Sequence, residues 1–106
     1  MDNYIIKNGD IIRLMDQYAV NGQVYFTIEI TDEGKYVAHP MNGPALEAFP
    51  CDTIDYIRIN GVWWEVASTH CEWETLQEFD NVTYDLDEIK PCAACVLEDQ
   101  FKALQV

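Results

Sequence analysis

The chain reads as an α+β protein, mostly antiparallel β hairpins in a meander or small barrel, with a C-terminal helix pinned by a zinc site. Three observations carry this reading. Four of the five glycines follow an asparagine, at Asn8-Gly9, Asn21-Gly22, Asn42-Gly43 and Asn60-Gly61. Asn-Gly suits the type I′ hairpin turn, whose two central residues need positive φ. Three of these pairs lie between apolar runs of strand length. Beyond Cys92 the composition shifts to good helix formers, including Ala93, Ala94, Leu97, Glu98 and Leu104.

The elements follow in order. A first hairpin joins Tyr4–Lys7 to Asp10–Met15, and a second joins Tyr18–Val20 to Gln23–Thr31. In the longer arm Val24, Phe26, Ile28 and Ile30 alternate with polar residues and Tyr25, so they share one face. Asp32-Glu33-Gly34 turns the chain into Lys35–His39. Three prolines mark the next stretch as irregular, with one helical turn expected at Pro44–Phe49. The third hairpin pairs Ile54–Ile59 with Val62–Ala67, and Ile57, Ile59, Val62, Trp64 and Val66 form its inward set. A short helix at Trp73–Phe79 and a strand at Val82–Leu86 precede the last helix. Val96, Leu97, Phe101 and Leu104 are its expected buried stripe. No repeat or linker divides residues 1–106, so a single domain is expected.

Charge narrows the range of partners. Six Lys and Arg face nineteen Asp and Glu, for a formal net charge of −13. Such a surface repels phosphate backbones and anionic membranes, so neither direct nucleic-acid binding nor membrane binding is expected. It is attracted to a basic protein surface. The first residues carry neither a basic segment nor a long apolar run, which predicts no signal peptide or membrane span. A reducing cytoplasm is then expected, where paired cysteines more often hold metal than form disulfides.

The cysteines are the most informative residues. Cys92-Ala93-Ala94-Cys95 has the two-residue gap that lets two thiolates chelate one tetrahedral zinc. A two-residue turn at Asn60-Gly61 pairs Ile59 with Val62. The same register carried outward puts Cys51 opposite His70, with Cys71 next along. The expected site is a structural zinc held by Cys51, Cys71, Cys92 and Cys95, with His70 as the alternative to Cys71. Unliganded or disulfide-bonded cysteines and a redox-active pair are the other readings of the same residues.

One catalytic pattern needs weighing. His70-Cys71-Glu72 followed by Pro91-Cys92-Ala93-Ala94-Cys95 resembles the His-x-Glu … Pro-Cys-x-x-Cys signature of zinc-dependent deaminases. That resemblance implies His70, Cys92 and Cys95 as ligands and Glu72 as the acid–base group. Against it, only eighteen residues separate Glu72 from Pro91, the chain ends directly after the second motif's helix, and no basic groove is evident. No other catalytic signature is present, and no catalytic residue is assigned.

Seven acids, Glu72, Glu74, Glu78, Asp80, Asp85, Asp87 and Glu88, lie in a stretch without Lys or Arg. A solvated surface is the common explanation of such a run. The functional reading is a partner-binding face that imitates nucleic-acid phosphates. With this run and the cysteine set, the small acidic hairpin-rich chain resembles phage-encoded anti-CRISPR proteins that inhibit the type II RNA-guided nuclease. The resemblance rests on general character across the chain and not on a motif. It implies a monomeric inhibitor in the host bacterial cytoplasm, binding the nuclease and blocking DNA loading or cleavage. An accessory or regulatory protein of a mobile element fits the same features.

Overall fold

The structure, a computed structural model, describes residues 3–47, 50–70, 82–88 and 91–105. Its core is one antiparallel sheet of seven strands with a helix laid on its outer face. The strands are β1 (Asn3–Ile5), β2 (Ile11–Leu14), β3 (Tyr25–Ile30), β4 (Tyr36–Pro40), β5 (Ile54–Ile59), β6 (Val62–His70) and β7 (Thr83–Glu88), and the helix is α1 (Pro91–Leu104). Their spatial order is β1-β7-β6-β5-β2-β3-β4. Two three-stranded meanders, β2-β3-β4 and β5-β6-β7, therefore meet at β2 and β5, and β1 closes the far edge. The sheet curls enough for Tyr36 on β4 to donate a hydrogen bond to the carbonyl of Ile6, just past β1, at 3.1 Å.

The concave face holds the main core. Ile12, Leu14, Phe26, Ile28, Ile54, Ile57, Tyr84 and Leu86 are buried there, joined by Ile6, Ala38, Cys51 and Val82. Alternation places most of them, since every second residue of a strand faces the same side, while Ile54 and Ile57 share the face across the register shift between β2 and β5. On the convex face the helix α1 covers an apolar patch. Tyr25, Trp63, Leu97 and Phe101 form a second cluster between sheet and helix.

The three Asn-Gly turns behave differently, and φ explains why. Asn60 (+51°) and Gly61 (+80°) both take positive φ, as do Asn21 (+51°) and Gly22 (+77°). At Asn60-Gly61 the twist matches the strands, and Ile59 pairs with Val62 in the expected register. At Asn21-Gly22 the paired backbone is a single bridge, Val20 with Gln23, because Asp16–Tyr18 turns into a short 3₁₀ segment and not a strand. At Asn8-Gly9 only Gly9 (+91°) is positive. That turn lacks the hairpin twist, so β1 and β2 splay apart: β1 pairs with β7, and β2 pairs with β3 and β5. Asp10 holds the splayed corner, accepting hydrogen bonds from the Tyr4 hydroxyl and from the Lys7 amide.

Other expectations are corrected. Leu46 bridges to Ala38 as extended backbone, so the segment around it is not helical. Val62 is 53% exposed and is no part of the core, whereas its neighbour Trp63 is 2% exposed beneath α1. On α1, Leu97 and Phe101 are buried as expected, but Val96 and Leu104 face solvent. The expected helix at Trp73–Phe79 lies outside the described residues.

Candidate functional site

The site is built where α1 ends its cover of the sheet. The helix is held by an electrostatic latch beside its apolar stripe. Glu98 accepts two hydrogen bonds from Arg58 of β5, from Nη2 at 2.8 Å and from Nε at 3.1 Å. It also accepts the indole N–H of Trp63 at 3.0 Å. Arg58 sits over the Phe101 ring, 5.1 Å from its centroid. The bidentate guanidinium holds the Glu98 carboxyl below the usual carboxylate range, against the opposing effect of its desolvation, with Lys102 and the Trp63 N–H adding to the lowering.

A carboxyl depressed in the folded state stabilises the fold above its unfolded pKa. That contribution disappears as pH falls through the folded pKa. Acidification below about pH 4.3, the ordinary glutamate value, should therefore loosen α1. Replacing Glu98 with Gln should lower stability at pH 7 and flatten its fall between about pH 5 and pH 3. Urea midpoints measured against pH for both proteins check this, because the other carboxylates are common to the two curves. Parallel curves would remove Glu98 from the account.

Beyond the helix, the convex face of β6 and β7 carries the described acids. Glu65 shares a face with Trp63 and pairs across the strands with Asp87, both exposed. A one-residue irregularity between Val66 and Ser68 restores the alternation, so Ser68 faces Asp85 and His70 faces Thr83. Like charges directly opposed on adjacent strands are unfavourable on their own. Neither β6 nor β7 contains a lysine or arginine to offset Glu65, Asp85 and Asp87.

Asp85 is the ordered centre of this face. Its Oδ2 accepts the Ser68 hydroxyl at 2.8 Å and lies 2.8 Å from His70 Nε2. The bonds to His70 and then Ser68 hold the carboxyl below its ordinary range. Serine, histidine and aspartate thus meet, but not as a nucleophile, base and orienter. In a catalytic triad the serine and the acid use opposite ring nitrogens. Here both approach Nε2, with Ser68 Oγ 3.5 Å away, and the hydroxyl is turned to the carboxylate. The arrangement anchors a carboxylate and does not activate a serine.

The three described cysteines, Cys51, Cys92 and Cys95, do not meet at one point. Cys51 lies in a 3₁₀ turn, Cys51–Thr53, and not on β5, because pairing of β5 with β6 stops at Tyr56 with Glu65. The strand ladder therefore does not extend to Cys51 with His70, although the Cys51 turn still packs against β6; on its other edge His70 pairs with Thr83 of β7. Cys51 is 1% exposed within the concave core and is disulfide-bonded. Cys92 and Cys95 are free, exposed thiols on α1, against the opposite face of the sheet. Among the described residues no three His, Cys, Asp or Glu side chains converge on a metal position. That holds for Cys51 with Cys92 and Cys95, and equally for His70 with Cys92 and Cys95, the set that the deaminase-like pattern needs. Cys71, Glu72, Glu74, Glu78 and Asp80 lie outside the described residues, as does the side chain of Glu88.

Sequence reasoning reached Asp85 and Asp87 but missed Glu65, Ser68 and the latch. Glu65 joins the acidic face only through the pairing of β6 with β7, a contact distant in sequence. The available signal for the latch was the coincidence of Arg58 and Trp63 on paired strands with one glutamate on the helix. His39 is half-exposed and lies 2.6 Å from Glu29. No helix among the described residues is long and apolar enough to cross a membrane. The chain matches no family model, no curated protein and no solved structure.

Proposed function

We propose that the protein is a binding module that uses the acidic convex face of β6 and β7 to occupy a basic, nucleic-acid-binding groove on a protein partner. The observation that supports this reading is the set Glu65, Asp85 and Asp87 on one sheet face of two strands that carry no Lys or Arg, with Asp85 fixed by Ser68 and His70. A folding domain gains nothing from opposing Glu65 and Asp87, whereas a cationic partner turns that cost into affinity. The sequence run through Glu72, Glu74, Glu78, Asp80 and Glu88 extends the same charge along the chain.

The partner class is a type II RNA-guided nuclease, and the consequence of binding is exclusion of its DNA. The chain would then act as a phage inhibitor inside a bacterial host. Thiol exchange requires access to a sulfur, and the described sulfur of the disulfide, that of Cys51, is buried in the core. The four-cysteine zinc cross-link is not part of the proposal, since the described cysteines lie on opposite faces of the sheet.

The test is competition. The chain should displace target DNA from a guide-loaded nuclease, and its affinity should fall steeply between about 0.05 M and 0.3 M salt, where the screening length shortens from beyond 10 Å to below 8 Å. Binding that is indifferent to salt, or that leaves DNA loading intact across a panel of such nucleases, would reject this function.

A further inference from the structure

The exposed thiols of α1 are unclaimed by the latch, the core and the acidic face. Cys92 and Cys95 are three residues apart on a fourteen-residue helix. Helical geometry puts such a pair on one side, with Cβ atoms about 5–6 Å apart. The residues docked on the sheet are Ala94, Leu97, Glu98 and Phe101. At 100° per residue, Cys92 and Cys95 fall on the side turned away from these. Both thiols therefore point out of the molecule, beside Val96, which is 54% exposed. Cys92 lies in the first turn, where the helix dipole favours negative charge, and Cys95 opens the second.

A tetrahedral zinc has four protein ligands in a closed site, with sulfurs at ~2.3 Å and so about 3.8 Å from one another. Two thiolates at this helical spacing span one edge of that tetrahedron and leave two positions open. Among the described residues no other side chain fills them. Cys51, the other described cysteine, is disulfide-bonded and supplies no thiolate. Among the described residues no further carboxylate or imidazole joins the pair.

We infer that Cys92 and Cys95 form half of a zinc site that a second copy of this chain completes, joining two α1 helices at their N-terminal turns in a zinc-bridged dimer. Four thiolates around zinc carry a net charge of −2, and two helix N-termini directed at that centre are favourable to it. Apolar Val96 of each copy lies alongside and supplies contact area. The opposing force is the repulsion of two chains of net charge −13. Salt screens this repulsion, so dimerisation should strengthen as salt rises. That is the reverse of the dependence expected for the acidic face, and the two proposals can fail separately.

The experiment titrates the full chain, kept free of oxygen and chelator, with zinc chloride while light scattering reports mass. The expected result is a monomer without zinc and a dimer with it, binding one zinc per two chains. Zinc-edge absorption should show four sulfur neighbours at ~2.3 Å. Cys92→Ser and Cys95→Ser should each stay monomeric in zinc with an unchanged urea midpoint, because both side chains are exposed. Alkylating the two free thiols of the unmutated chain should abolish the dimer as well, without any substitution. A dimer that forms without zinc, one zinc per chain with nitrogen or oxygen in its shell, or no zinc uptake would each overturn the inference.

Discussion

Trp63→Ala should be the most damaging single truncation on the convex side, costing about 3–5 kcal/mol. The indole is almost wholly buried and packs edge-on against Tyr25 and Phe101, with centroids 5.7 Å and 5.8 Å away. Its removal leaves a cavity between helix and sheet and deprives Glu98 of one of its three hydrogen bonds. Domains of this length have a net stability on the order of 5–15 kcal/mol, so the loss is a large part of the whole. Two readouts check it. The urea midpoint should fall sharply, and the near-ultraviolet circular dichroism of the aromatic cluster should weaken at zero denaturant. Trp63→Phe keeps most of the volume but not the N–H donor, and should cost less. A Trp63→Ala protein within about 1 kcal/mol of the parent, the size of an ordinary substitution, would mean that α1 is not held by this contact.

This cluster also shows where the sequence was readable and where it was not. A turn whose two central residues both accept positive φ carries its own register, which is why Ile59 and Val62 could be paired from Asn60-Gly61 alone. The dipeptide Asn8-Gly9 looks identical, but its geometry is decided by distant groups. The Gly9 amide donates to the carbonyl of Ile28, and the Ile30 amide donates to the Asn8 side chain, both on β3. Those tertiary bonds favour the splayed corner over a hairpin. Trp63 stands outside the inward set read from the sequence for a related reason. Period-two alternation identifies the two faces of β6 but not which of them a remote helix covers. Here both are covered, one by the concave core and one by α1. Cys51 does lie at the end of β5 and its turn packs against β6, but it is not paired with His70, because the β5–β6 ladder stops at Tyr56 with Glu65. The acids were legible as a run but not as a face. Glu65 lies outside the run and still pairs with Asp87.

Reversing that face should separate its geometry from bulk charge. The triple change Glu65→Lys, Asp85→Lys and Asp87→Lys replaces three acids on adjacent strands with bases. Against a basic groove, association should slow by about 100-fold, within the range over which focused charge alters encounter rates. A matched control changes Asp32, Glu33 and Glu47 to lysine. These are exposed residues away from β6 and β7, and the substitutions alter net charge by the same amount. If the convex face is the docking surface, the control should bind nearly as the parent does, because screening confines surface charges to about 8–10 Å. Equal losses in both triples would mean that net charge alone draws the partner and that no face is specified. Asp85 is the residue whose change also touches structure, since a lysine in its place leaves Ser68 and His70 without their acceptor. The double change at Glu65 and Asp87 resolves this. It removes an unfavourable cross-strand pair when both become glutamine, so its urea midpoint should hold or rise while binding falls. Stability and binding moving in opposite directions is the signature of residues kept for a partner and not for the fold.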